Sequence, residues 1–301
     1  MRRREPRGMT ATLADLARSA LRRGYAAARR RLSGYGLPRF RIVRSAERVV
    51  RAALRTDVTT VLGHRMRLDA KDRGELAIHG VYEPLATDLV RSEIGPGDVV
   101  LDIGANIGYY TLIFAKCVGP AGRVFAFEPE PGNFALLQEN VATNGYRNVT
   151  LARLAVSDRA GRARLFLDAD NAGDCRMYDS HDQRPSVDIA TVRLDDHLAS
   201  LDRIDLIKMD IQGAEPAALR GMRGLLERHR QVRLLLEFWP YGLQLFGADP
   251  KEFLDTLREA GFTLWNLNER RGGLARTGVP ELLADYPPTL DSATNLFCTR
   301  R

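Results

Sequence analysis

The sequence predicts an α/β fold, doubly wound around a mostly parallel sheet, with a basic helical arm at its N-terminus. Three observations carry that expectation. The run Val99-Val100-Leu101-Asp102-Ile103 is apolar enough for a strand buried on both faces, and Gly104 and Gly108 allow a tight turn into a helix starting near Tyr109. A second run, Arg123-Val124-Phe125-Ala126-Phe127, ends in Glu128-Pro129 and leads into helical residues 132–140. Strand-like runs near 98–103, 123–128, 148–156, 205–210 and 232–237 then alternate with helical stretches, the rhythm of a Rossmann-like sheet covered on both faces.

In chain order, residues 1–56 form the arm. Residues 1–8 read as disordered; Leu13, Leu16, Ala20 and Ala27 then recur at helical spacing between arginines, and 42–54 reads as a second basic amphipathic helix. Residues 1–55 hold sixteen arginines against three acids, or +13, whereas the 301-residue chain carries a formal net charge of +7, which leaves −6 for the rest. The basicity of the whole chain therefore does not argue for nucleic acid as a partner, and none is expected. Two readings of the arm stay open: a solvated helical cover packed on the domain, and a contact with an anionic membrane surface or a lipid-linked substrate. It is also the candidate contact of a homodimer.

Residues 57–81 alternate as a short hairpin with turns at Gly63-His64 and Asp72-Arg73-Gly74. The main domain, 82–301, opens on Glu83-Pro84 and a helix over 85–94 that Gly95-Pro96-Gly97 ends. Between the third and fourth strands, 162–167 and 188–194 read as extra strands around a polar loop, 168–185, the candidate lid. Runs at 263–266 and 295–299 close the domain as an antiparallel pair.

Only four of the 45 basic residues are lysine, a bias that fits a GC-rich genome. Cys117, Cys175 and Cys298 are odd in number and far apart, which suggests neither a disulfide framework nor a metal site and fits a reducing cytosol. There is no run of about 18 apolar residues and no apolar signal core, so the expectation is a cytoplasmic protein, soluble or peripheral at the inner membrane face.

The strand tips carry the chemistry. A dinucleotide fingerprint needs G-x-G-x-x-G, with amides facing a pyrophosphate; this loop has one glycine fewer and places the Asp102 carboxylate at the strand's tip. A carboxylate repels a pyrophosphate but attracts an ammonium, and Glu128 suits both hydroxyls of a ribose, so the pair points to a positively charged nucleoside such as S-adenosylmethionine (SAM). The plain alternative is a tight strand-to-helix connection with Asp102 as a capping residue.

Several motifs recur together in order: Tyr82-Glu83-Pro84, Asp102-Ile103-Gly104-Ala105-Asn106-Ile107-Gly108-Tyr109-Tyr110-Thr111, Phe127-Glu128-Pro129, Ala155-Val156-Ser157-Asp158, Leu194-Asp195-Asp196, and Ile207-Lys208-Met209-Asp210-Ile211-Gln212-Gly213-Ala214-Glu215. Through them the chain, from about Tyr82 to Cys298, resembles the FkbM-type SAM-dependent methyltransferases. The resemblance implies the class I methyltransferase fold, a seven-stranded sheet whose last two strands form a reversed hairpin. It also implies that Asp102, Gly104, Asn106 and Gly108 surround the methionine end of SAM, that Glu128, followed by Pro129, holds the ribose, and that Ala155, Ser157 and Asp158 line the adenine. Glu83 is a candidate to close over the methionine group, or else a helix-start acid facing the dipole. Gln212 departs from the family, which commonly has glutamate there, so no acid-base role is assigned to it.

Methyl transfer to an alcohol calls for a base. Asp210 at the end of the fourth strand is the first candidate, Glu237 at the end of the fifth the second, and Glu215 the third, because open α/β sheets gather such residues beyond the strands' carboxyl ends. Their plain alternatives are a helix-start acid for Glu215 and a turn-orienting role for Asp210. His181 in the lid and His197, after Asp195 as a helix N-cap, are set aside, and no metal is expected. The expected reaction is O-methylation of a hydroxyl on a sugar, polyketide or other small metabolite or glycan. The alternatives are a nicotinamide-dependent oxidoreductase, which lacks its third glycine here, and a non-catalytic module recruited through the arm.

Overall fold

The computed structural model describes residues 57–69, 76–77, 80–168, 171, 173–269 and 271–300. The basic arm and the expected turn at Asp72-Arg73-Gly74 lie outside them.

Strands β1 (Val58–Val61) and β2 (His64–Arg67) pair as the expected hairpin around Gly63. Helix α1 (Pro84–Glu93) leads to β3 (Val99–Ile103), α2 (Tyr109–Val118), β4 (Arg123–Phe127), α3 (Pro131–Thr143) and β5 (Val149–Ala152). After β6 (Ala155–Val156), β7 (Gly161–Phe166), β8 (Ser186–Val192) and α4 (Leu194–His197) the winding resumes with β9 (Leu206–Met209), α5 (Glu215–Gly221), α6 (Arg223–Arg228) and β10 (Arg233–Phe238). Helices α7 (Pro240–Leu245) and α8 (Pro250–Glu259), strands β11 (Thr263–Asn268) and β12 (Gly273–Arg276), α9 (Val279–Asp285) and β13 (Thr294–Thr299) complete the domain.

The main sheet has the order β12-β11-β13-β10-β9-β3-β4-β5. Strands β5, β4, β3, β9 and β10 run parallel, and β13, β11 and β12 add antiparallel pairings at one edge. Seven of these strands form the expected mostly parallel sheet with its reversed hairpin; β12 is an eighth, fully exposed edge strand from a Gly- and Arg-rich stretch with no apolar alternation to announce it. Every residue of β3 and β9 is buried. On one face Leu101 and Ile103 pack with Leu225, Leu243 and Phe253; on the other Val100 packs with Val90, Leu112 and Leu137, which is what double winding requires.

The expected third strand, 148–156, is broken. β5 stays in the main sheet, whereas β6 pairs in parallel with β8 in a separate sheet of order β6-β8-β7, and Arg153-Leu154 makes the step between them. Capping also differs at two places. Asp195 does not cap α4; its carboxylate accepts from the amides of Gly224 (3.1 Å) and Leu225 (2.7 Å), capping α6 across the fold. The first turn of α1 is capped by Glu269, which accepts from the Leu85 (3.1 Å) and Ala86 (2.8 Å) amides, and this leaves Glu83 free to turn inward.

The strand order reverses between β3 and β9, so a crevice opens beyond their carboxyl ends. That switch point is where the site lies.

Candidate active site

A cavity of 330 Å³ sits at this crevice, enough for one nucleoside-sized ligand. Its walls include Gly104 and Asn106 from the loop after β3, Glu128 and Pro129 after β4, Ala155 from β6, and Lys208 and Asp210 from the end of β9. Phe127, Leu154, Val156, Leu165 and Met177 supply an apolar side. Of the lid, 168–185, Asn171, Gly173, Cys175 and Met177 reach the cavity. The lid is tied down: Arg176 forms a bidentate pair with Asp174 (2.8 and 2.7 Å) and lies 4.9 Å from the Trp239 ring centre. His181 points away, with its side chain 89% exposed.

The loop after β3 is built on backbone contacts. Gly104 has φ +77°, and a Cβ there would overlap the carbonyl oxygen of Asp210, so glycine is required by the close approach of the two strand ends. The amides of Gly104 and Ala105 both donate to the carbonyl of Phe127 at 3.0 Å, binding the loop to the end of β4. Gly108, with φ +96°, is the N-cap of α2; a Cβ there would lie 2.7 Å from the Leu137 Cδ1, and the residue lies behind the loop, off the cavity wall.

Glu128 is 5% exposed. Its Oε2 accepts from the Asn106 amide at 2.8 Å and its Oε1 from the Glu130 amide at 2.9 Å, leaving each oxygen a second lone pair for a ligand. Burial raises its pKa to about 7 against the opposing pull of those two amides.

Asp102 departs from expectation. It shares a face of β3 with Val100, toward α2, where its Oδ2 accepts from the Thr111 hydroxyl at 2.5 Å. It is fully buried and off the cavity wall, because strand alternation turns Asp102 away from the face that Ile103 presents. Its Oδ1 has no hydrogen-bond partner, and burial pushes its pKa up although Lys208 and Thr111 oppose this. Its cross-strand neighbour Lys208 does line the cavity.

The expected adenine residues divide. Ala155 lines the cavity, whereas Ser157 and Asp158 follow β6 away from it: the Ser157 amide donates to the Val192 carbonyl, and Asp158 pairs with Arg220 at 3.0 Å. The departure of β6 from the main sheet causes this.

The three candidate bases also divide. Asp210 alone lines the cavity, with Oδ1 accepting from Gln212 Nε2 at 2.8 Å and Oδ2 lying 3.6 Å from Lys208 Nζ. Glu237 stands behind it and accepts from the same Gln212 amide at 3.0 Å; burial, Asp210, Glu215 and Glu83 all push its pKa well up. Glu215, 1% exposed, accepts from the Ile211 amide at 2.9 Å and fixes the turn after β9; burial raises its pKa to about 7. Glu83, the left-handed N-cap of α1, accepts from Tyr110 Oη and Asn295 Nδ2, each at 2.8 Å, and lies off the cavity wall. Gln212, with φ +56°, thus bridges two carboxylates where a glutamate would repel both.

Sequence reasoning gave no role to Lys208, although a lysine inside an otherwise apolar strand was the available signal. It also missed Tyr110, Asn295 and Glu269, whose partners lie 27, 212 and 183 or 184 residues away.

Residues 102–264 match the family model described as the methyltransferase FkbM domain, more than half of the chain. The chain belongs to the FkbM methyltransferase family. Among curated relatives, the 2-O-methyltransferase NoeI of Sinorhizobium fredii is 31% identical over 176 residues, covering 51% of this chain and 71% of NoeI. The 31-O-demethyl-FK506 methyltransferase FkbM of Streptomyces tacrolimicus is 30% identical over 161 residues, 43% of this chain and 61% of FkbM. The hexuronic acid methyltransferase AglP of Haloferax volcanii is 28% identical over 174 residues, 57% of this chain and 66% of AglP. This FkbM-family protein is a methyltransferase whose cofactor is SAM, which sets aside the nicotinamide alternative.

The cavity fits that cofactor. It offers an apolar slot for a base and a buried carboxylate with spare lone pairs for a ribose diol, and Lys208 and Asp210 line its wall 3.6 Å apart. Among the described residues, no helix is long and apolar enough to cross a membrane.

Proposed function

We propose that this FkbM-family enzyme methylates a hydroxyl group on a small metabolite or glycan, with Asp210 as the base. The observation that carries this is that Asp210, alone among the three candidate carboxylates, lines the cavity, at the strand end facing the loop that Glu128 anchors. Bound SAM supplies a methyl group activated by its positively charged sulfur. Glu128 holds the ribose hydroxyls, with Gly104, Asn106, Pro129 and Ala155 shaping the walls around the nucleoside. The Lys208 ammonium and the Gln212 amide compensate the charge of Asp210, whose carboxylate takes the acceptor's proton as the new bond forms. Glu237 and Glu215 support that carboxylate from behind, the first through Gln212 and the second by fixing the turn. The lid keeps the cleft poor in water, which favours transfer to the acceptor over hydrolysis.

The oxygen acceptor is supported by the names of two relatives, a 2-O-methyltransferase and a 31-O-demethyl-FK506 methyltransferase, and the glycan class by a hexuronic acid methyltransferase. The test is transfer of labelled methyl into a cell lysate followed by mass spectrometry of the product. Asp210→Asn reduces transfer by about a hundredfold or more while S-adenosylhomocysteine (SAH) still binds within about threefold. A product methylated on nitrogen or carbon, or full activity in Asp210→Asn, overturns the reading.

The arm of residues 1–56 we assign to salt-sensitive attachment of a cytoplasmic enzyme to an anionic inner-membrane surface, on the strength of its +13 charge over 1–55; it is also the candidate dimer contact. Vesicle co-sedimentation that is unchanged on deleting residues 1–55 rules the attachment out.

A further inference from the structure

Lys208 is a lysine in a place where a sheet normally keeps an apolar residue. It sits in β9, with Asp102 of β3 and Leu235 of β10 as its cross-strand neighbours, and is 6% exposed, yet it lines the cavity. An ammonium has three hydrogens to place. Among the described residues, the Lys208 Nζ finds only the Gly104 carbonyl at 3.4 Å, an off-centre ion pair with Asp210 at 3.6 Å and the face of the Tyr110 ring at 5.2 Å. None of these is a short hydrogen bond. A buried cation held this loosely on a cavity wall has capacity for an anion inside that cavity.

The chemistry of the position agrees. This chain uses 41 arginines and only four lysines, yet a lysine, a compact point charge, stands here. The carboxylates that face Lys208 come from every element around it: Asp102 from β3, Asp210 from its own strand end, Glu83 before α1 and Glu237 from β10. These carboxylates do not by themselves select an anion; Lys208 lines the cavity together with Asp210, whereas Asp102, Glu83 and Glu237 lie off its wall, so Lys208 is the charge that offers an anionic group in the cavity a partner.

We propose that Lys208 binds the α-carboxylate of the amino-acid tail of SAM, so that the enzyme recognises its cofactor by that carboxylate as well as by the nucleoside. This rests on the SAM reading of the cavity. Lys208 then discriminates intact SAH from analogues that share its adenosine but lack the carboxylate, and it leaves affinity for the adenosine portion unchanged.

The test uses the full chain and three probes in calorimetric titration: SAH; its decarboxylated analogue, which keeps the amine; and 5′-methylthioadenosine, which lacks the whole tail. The unaltered enzyme should bind SAH about ten- to a hundredfold more tightly than the decarboxylated analogue, as expected for one charge-assisted contact. Lys208→Met should collapse that ratio to near one while binding 5′-methylthioadenosine as before, and Lys208→Arg should recover little of it. Equal affinity of the unaltered enzyme for SAH and the decarboxylated analogue overturns the proposal without any variant. A Lys208→Met enzyme that loses all three probes in parallel also overturns it, because Lys208 then only balances buried carboxylates. Failure of the folded, unaltered enzyme to bind any probe overturns the SAM reading itself.

Discussion

The Glu128 carboxylate accepts a hydrogen bond from the backbone amide of Asn106 at 2.8 Å, joining the tip of β4 to the loop after β3. One charged group thus fixes the loop and faces the cavity, so the ligand site and the local fold share an ionisable residue. Because burial raises the Glu128 pKa to about 7, its charged form is favoured when ribose hydroxyls donate to it. SAH affinity should therefore rise with pH through about 7, by up to about tenfold from pH 6 to pH 8, and Glu128→Gln should flatten the dependence. Titration at the two pH values checks this; an affinity that falls with pH contradicts it.

Glu215 gives the companion effect on stability. Its pKa is near 7 in the fold against 4.5 for the free side chain, so its contribution is fully present below about pH 4.5 and is lost as pH rises through about 7. The size is on the order of 3 kcal/mol. Glu215→Gln, which keeps an acceptor for the Ile211 amide, should remove this share of the pH dependence in denaturant unfolding of the unliganded protein.

Gly104→Ala should destabilise the protein by roughly 3 kcal/mol or more, because its Cβ meets the Asp210 backbone at a positive φ. Gly97→Ala, at φ +90° with nothing near its Cβ, should cost only about 1–2 kcal/mol. Equal losses in urea unfolding would mean that the contact between the two strand ends is not tight.

Legibility in the sequence followed the range of the interactions. Strands β3 and β4 declared themselves because, Asp102 and Arg123 apart, their side chains are apolar, and Glu128 was visible as the acid that ends such a run. The facing of Asp102 was not: a strand buried on both faces has no polar alternation to tell its sides apart. The break between β5 and β6 depends on pairing with β8, more than thirty residues away in sequence, as Ala155 with Thr191 shows. Lys208 and Gln212 gained meaning only when β3, β9 and β10 lay side by side.

The cap on α1 by Glu269 gives a prediction of the same long-range kind. Glu269→Ala leaves the Leu85 and Ala86 amides unmet and should cost about 1 kcal/mol, with a local rise in hydrogen exchange at the start of α1. Unchanged exchange there would show that solvent serves those amides equally well.

Gln212 donates to both Asp210 and Glu237, so Gln212→Glu replaces a shared donor with a like charge. The cluster should then take up a proton at higher pH, moving the acidic limb of the transfer rate upward, whereas Gln212→Ala should lower the rate without that displacement. A pH profile of labelled-methyl transfer separates the two.

The most direct measurement is calorimetric titration of the folded protein with SAH. If the ends of β3, β4 and β9 form one cofactor cleft, a single molecule binds per chain at about micromolar affinity, and Glu128→Ala weakens it by about tenfold or more. A flat titration of the folded, unaltered protein, or full affinity in Glu128→Ala, would contradict that cleft.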